Sequence, residues 1–315
     1  MAKTIIISDY DETIVEFSGV LFDAVFNAVL GKDGYSTMIN ICNRRKAETG
    51  RSCDFLSGYI EECNLTKDEA EKLWSDFKNT EVYKELKSSK IEKVQAVLEK
   101  GNHIPEKNAT AYYIEELLIP IVAVYNVLVK KIVPHEAFFE LYEKSKENGD
   151  IFLINTFKNQ KLIETELKEY VTLNAEKYNA FQELLDNKMV FGTTVDSCKG
   201  DDDRIEILLK KLNKDKNSDL ILMGDGFPDV VNFEQALAIN ENSKFCFVNS
   251  RLNLEIKNYT SQIKALEEDT DDYKTKKAKL EKFEKELEKI SQYQSKAKEG
   301  NFMSGDYKDL AKALY

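Results

Sequence analysis

Five short apolar runs rich in β-branched or aromatic residues punctuate the chain, at residues 4–8, 151–155, 189–193, 220–223 and 244–248. Each is nearly continuous in its hydrophobicity, as expected of a strand covered on both faces. Stretches with a helical repeat lie between successive runs, and strands joined in this way pair in parallel through right-handed crossovers. The predicted fold class is therefore α/β, with a Rossmann-like, doubly wound parallel sheet. The stretch PHEAFFELYEKSKENGD illustrates one connection: Phe138, Phe139, Leu141 and Tyr142 form an apolar stripe, and Gly149 suits a left-handed helix end just before the strand IFLIN.

Two parts of the chain depart from this alternation. Residues 21–131 read as an all-helical insertion, through LFDAVFNAVL, DFLSGYIEECN, KDEAEKLWSDF, SKIEKVQAVLEK and YYIEELLIPIVAVYNVLV, with Thr66 placed as a helix N-cap. The core is then 1–20 with 132–250, and 251–315 is a helical extension. In that extension Leu252, Ile256, Tyr259, Ile263 and Leu266 follow a spacing of four and three, the seam of a partnered helix. The stretch DTDD interrupts it, and Tyr273, Leu280, Phe283, Leu287, Ile290 and Tyr293 continue in a shifted phase. An antiparallel helical hairpin turning near Asp271 is the first expectation, and one long helix of about 65 Å the second. The seam either packs within the chain or forms a coiled-coil contact, which apolar spacing alone does not separate; association, as a homodimer or with a protein partner, is the expectation carried forward. The tail NFMSGDYKDLAKALY is expected to dock as a short helix.

Charge narrows the classes of partner. With 45 Lys and Arg against 56 Asp and Glu the formal net charge is −11, which argues against broad adhesion to nucleic acid or an anionic membrane. The cysteines Cys42, Cys53, Cys63, Cys198 and Cys246 contain no C-x-x-C pair, and the two histidines give zinc little support, so buried thiols in a reducing compartment are expected. The opening MAKTIIISDYDE meets carboxylates too early for a signal sequence. No window is expected to span a membrane, the nearest, 117–133, being broken by Pro120 and closed by Lys130 and Lys131. Cytoplasmic localisation follows.

Chemistry-bearing residues gather where the strands end. Asp9-Tyr10-Asp11-Glu12-Thr13 follows the first strand, where two carboxylates two residues apart can serve one centre if the chain turns. Gly224-Asp225-Gly226-Phe227-Pro228-Asp229 follows the fourth, its glycines permitting a tight turn and close approach of a ligand. Lys199 lies between the third strand and a helix, and Asn155-Thr156 closes the second strand, where a hydroxyl and backbone N–H groups can bind phosphate oxygens. Singly, each has a plain structural explanation: a solvated loop, a Gly-Asp turn, a surface ion pair or a self-satisfied turn. Together they share the carboxyl edge of a sheet type that binds its ligands there.

In this order the residues resemble the four motifs of the haloacid dehalogenase superfamily: Asp9, Asp11 and Thr13; Thr156; Lys199; then Asp225 and Asp229. Three features depart from the pattern: Glu12 stands where Gly is usual, Asn155 competes with Thr156 for the second motif, and Pro228 sits within the acidic loop. The resemblance implies a Mg²⁺-dependent phosphohydrolase. Asp9 would be the nucleophile forming an aspartyl-phosphate and Asp11 the acid and base. Thr156 (or Asn155) and Lys199 would bind phosphoryl oxygens. Mg²⁺ would be held by Asp9, Asp225, the backbone carbonyl of Asp11 and waters oriented by Asp229. The insertion would be a cap over the site, with GKDGYST and Arg44, Arg45, Lys46 and Arg51 as candidate substrate selectors, although a solvated, acid-balanced helix face explains those basic residues more simply. A small phosphorylated metabolite is the expected substrate. The alternatives are a phosphoprotein phosphatase or phosphotransferase, and a catalytically idle scaffold on the same core.

Overall fold

The computed structural model describes residues 4–15, 19–49, 54–194, 197–214, 218–264, 266 and 270–315. Its sheet has six strands: β1 (Ile5–Ser8), β2 (Ile151–Asn159), β3 (Val190–Thr193), β4 (Leu220–Gly224), β5 (Lys244–Val248) and β6 (Phe302–Gly305), in the order β3-β2-β1-β4-β5-β6. β1 is central, with Ile5–Ser8 in parallel register against Ile151–Ile154 on one side and Leu220–Met223 on the other. Ile5, Ile6 and Ile7 are all buried although their side chains alternate between the faces, which explains why the strand is apolar throughout.

The chain divides into two compact units, residues 1–15, 134–154 and 202–315 in one, 16–133 and 155–201 in the other. This differs from the expected partition in two ways: residues 251–315 join the first unit instead of standing apart, and 155–201 group with the helical insertion.

In the first unit the reason is β6. The tail, expected as a helix alone, first pairs Phe302–Gly305 in parallel with Phe245–Val248 of β5 and then forms the helix Tyr307–Leu314. Helices Ser250–Ile263 and Asp271–Lys296 are therefore the crossover between β5 and β6. They form the expected hairpin, the second helix starting at Asp271 with Thr270 as N-cap accepting from Tyr273 N at 3.2 Å. Their seam closes within the chain: Leu252 and Ile290 are buried and Tyr259 stacks on Phe283 at 5.8 Å. The connection from helix Glu136–Glu147 to β2 turns at Gly149, whose φ of 73° is the left-handed value that glycine adopts freely.

In the second unit the insertion is helical as expected, from the long helix Gly19–Thr49, interrupted at Gly31, to the run beginning at Ala109. Thr66 caps Lys67–Phe77 in a full capping box with Glu69. The membrane expectation needs correction: Ala109–Val129 is long and apolar enough to cross a membrane, and Pro120 does not break it. A wide turn at Tyr113–Leu118, in which Ile119 N–H reaches back to the Ile114 carbonyl, precedes the proline and shifts the ladder that its ring and missing N–H would otherwise disrupt. In its apolar window 67% is buried, so this helix is a core element of its unit.

Side-chain pairs distant in sequence explain why 155–201 belongs with this insertion. Helix Gln160–Leu173 contributes Glu166, paired to Lys158 and accepting from Asn126 Nδ2 at 2.7 Å, and Tyr170, whose hydroxyl donates to the Ile132 carbonyl at 2.9 Å. Glu169 pairs with Lys93 at 2.7 Å and Lys161 with Glu115 at 3.0 Å.

Candidate metal and catalytic site

The parallel ladder sets the site in the first unit. Beyond the last residue of β1, Asp9 N–H still donates to the Met223 carbonyl of β4 at 2.8 Å, so the first carboxylate is held beside the strand that ends at Gly224. Asp225 follows that strand, and Asp229 lies in the first turn of helix Phe227–Ile239, its carboxylate accepting from Gly226 N–H at 3.3 Å. Carboxylate oxygens of Asp9, Asp225 and Asp229 lie within 4.8 Å of one another, and all three residues are buried. Asp11 is not one of this group; it sits in the turn after Asp9, where the amides of Ile14 and Val15 both donate to the Tyr10 carbonyl, at 2.8 and 3.0 Å.

Two of the departures from the family pattern acquire physical reasons here. Glu12 has φ of 56°, the left-handed region, so the turn itself asks for glycine and Glu12 meets the requirement at a conformational cost. Pro228 occupies the first turn of its helix, where an N–H has no intrahelical acceptor and proline is well suited.

Asn155, Thr156 and Lys199 belong to the second unit. β2 does not stop at Asn155 as expected but runs to Asn159, which places Asn155 and Thr156 within the strand. The continuation was hidden because TFKN is polar, and its burial depends on Lys158 meeting Glu166 from the following helix. Thr156 Oγ1 accepts from Lys158 N at 3.2 Å. By the two-residue period of a strand, Thr156 and Lys158 share one face, and Asn155, Phe157 and Asn159 the other. Lys199 is buried, 2% exposed, and so does not lie at the surface as its aspartate neighbours suggest. Its Nζ lies 5.6 Å from the Phe157 ring centroid. The turn that presents it is tied by Asp201, which accepts from Cys198 N at 2.8 Å.

Further buried polar groups in this unit gave no local signal. Asp54 caps helix Phe55–Glu62 and accepts from Ser57 and from Asn159 Nδ2, the latter at 2.6 Å. Burial raises the Asp54 carboxyl above the usual range, opposed by hydrogen bonds from Ser57, Asn159 and Leu56. Of the basic candidates, Arg44 pairs with Glu62, and Arg45 with Glu61 at 2.8 Å and Glu62 at 2.6 Å, the acid-balanced arrangement of an ordinary helix surface. Lys46 lies in the last turn of Gly19–Thr49, and Arg51 lies outside the described residues. Cys42, Cys198 and Cys246 are buried thiols and Cys63 a half-buried one, none of these four in a disulfide, and Cys53 lies outside the described residues.

Among solved structures, the chain is similar to a provisionally assigned phosphatase from Clostridium difficile, at 18% identity over 79% of this chain and 86% of that one, with a TM-score of 0.36. A haloacid dehalogenase-like hydrolase from Burkholderia xenovorans, also provisionally assigned, aligns over 99% of both chains at 8% identity and a TM-score of 0.42. A predicted phosphatase from Clostridium acetobutylicum aligns over 79% of this chain and 86% of its own at 13% identity, with a TM-score of 0.36. No family model and no curated protein matches the chain. At these scores the similarities add nothing to the reading of the site, which rests on its residues.

Proposed function

We propose that the chain is a Mg²⁺-dependent phosphohydrolase acting on the phosphate monoester of a small metabolite. The observation that carries this reading is the convergence of Asp9, Asp225 and Asp229 at the carboxyl ends of adjacent parallel strands. Three buried carboxylates so close together repel one another, and a divalent cation is the natural counter-charge. An all-oxygen donor set suits a hard cation that retains water, hence Mg²⁺. Asp9, Asp225 and Asp229 would hold it, with the Asp11 backbone carbonyl that the resemblance adds, and it would supply positive charge beside the phosphate dianion.

Asp9 attacks phosphorus, its Oδ–P bond forming as the ester P–O bond breaks, and an aspartyl-phosphate results. Asp11 gives its proton to the departing alkoxide. Now ionised, it takes a proton from the water that cleaves the aspartyl-phosphate, which releases phosphate and restores Asp9. Lys199 and Thr156 or Asn155 are assigned to the phosphoryl oxygens, where fixed cationic and hydrogen-bonding groups offset charge in the transition state.

Hydrolysis of p-nitrophenyl phosphate by wild type and Asp9→Asn, each with Mg²⁺ and with chelator, tests the reading. Wild type should turn over only with the metal, and Asp9→Asn should fall by about 10³-fold or more. Equal rates in the two proteins, or a rate indifferent to chelation, would overturn it.

A further inference from the structure

Among the described residues, the exposed large apolar side chains include two phenylalanines of the second unit, Phe55 at 42% and Phe157 at 41% exposure. A single surface phenylalanine needs no explanation. These two, however, flank one hydrogen bond, from Asn159 Nδ2 to Asp54 Oδ2 at 2.6 Å. Phe55 immediately follows Asp54, and Phe157 precedes Asn159 by two residues on the same face of β2, a separation of about 7 Å. Both partners in the bond are themselves fixed. Asp54 caps Phe55–Glu62, and Asn159 Oδ1 accepts from Lys161 N at 2.9 Å and Leu162 N at 3.1 Å at the start of Gln160–Leu173. The Lys199 ammonium, on a residue 2% exposed, lies over the Phe157 ring, 5.6 Å from its centroid.

We propose that Phe157, assisted by Phe55, forms a subsite for the alcohol portion of a phosphate monoester that carries a flat apolar ring. The phosphate would pair with Lys199, a placement that rests on the phosphohydrolase reading. An ammonium attracts the dianion and also faces the aromatic quadrupole. In an aryl ester one oxygen separates ring from phosphorus, so a phosphate at Lys199 leaves its ring within stacking reach of Phe157. Such a contact is worth about tenfold in affinity.

Calorimetric titration of the full chain carrying Asp9→Asn, which should not turn the ester over, with phenyl phosphate and with inorganic phosphate in Mg²⁺ reads the subsite through the ratio of the two affinities. With both phenylalanines in place this protein should favour phenyl phosphate by about tenfold. Adding Phe157→Ala should bring the ratio close to one, and adding Phe55→Ala to a value between. Because both side chains are exposed, truncation leaves the core in place, and thermal melts of each variant verify this. A ratio near one with both phenylalanines in place, an unchanged ratio on adding Phe157→Ala, or no binding of either ligand would overturn the subsite. In the wild-type chain, hydrolysis of phenyl phosphate, followed in parallel, reads the reaction separately: a tenfold ratio without turnover contradicts the hydrolase and supports the subsite, and turnover with a flat ratio does the reverse.

Discussion

A Cβ placed on Gly224 would fall 2.1 Å from Cγ of Asp229, so the last residue of β4 is small because the third carboxylate of the cluster lies against it. Asp229 reaches that position by capping the Gly226 amide, which ties its orientation to the helix start. Gly224→Ala is therefore expected to move Asp229 off the strand end and weaken Mg²⁺ binding by about 10-fold or more, measured by calorimetry. Unchanged affinity would show that Asp229 does not help to hold the ion.

Glu12 stands in the left-handed region with φ of 56°. Relieving that conformation gains more than the added freedom of glycine in the unfolded chain costs, so Glu12→Gly should stabilise the fold by about 0.5–1 kcal/mol. Chemical denaturation checks this; destabilisation would mean that the Glu12 side chain makes contacts worth more than the strain.

Lys158 and Glu166 have side chains only 5% and 2% exposed. Glu166→Leu strips a buried ammonium of its carboxylate and should cost about 3–5 kcal/mol in urea unfolding. The double variant Lys158→Met with Glu166→Leu should recover most of that loss. Additive losses would show that the two charges do not depend on each other.

Burial raises the Cys246 thiol to about 12. The sign is that of an acid held neutral: at pH 8 only on the order of one molecule in 10⁴ carries the reactive thiolate. Iodoacetamide at pH 8, followed by peptide mass spectrometry, should leave Cys246 unmodified in the folded protein and modify it in urea. Rapid modification of the native thiol would contradict the burial of β5.

The strands at the middle of the sheet were legible because burial on both faces makes residues such as Ile5, Ile6 and Ile7 uniformly apolar. The hairpin was legible because its seam changes phase at DTDD, where the second helix begins. β6 was not: Phe302–Gly305 is four half-buried or exposed residues at a sheet edge, too short to show a period. The extension of β2 and the grouping of 155–201 with the insertion depend on Lys158–Glu166, Asn126–Glu166 and Lys93–Glu169, pairings that a local pattern does not contain. The carboxylates of Asp9, Asp225 and Asp229 could be singled out because each stands just after a buried strand or within its following turn, and the acidic loop carried its own glycines. The burial of Lys199 was obscured by the aspartates that follow it.

Titration of the metal-free full chain with Mg²⁺, alongside Asp225→Asn, tests most directly whether these carboxylates form an ion site. Binding of one Mg²⁺ at millimolar concentration or below, lost or weakened at least tenfold in Asp225→Asn, is the predicted result. Absence of binding in the wild-type chain, or binding that survives Asp225→Asn intact, would contradict it.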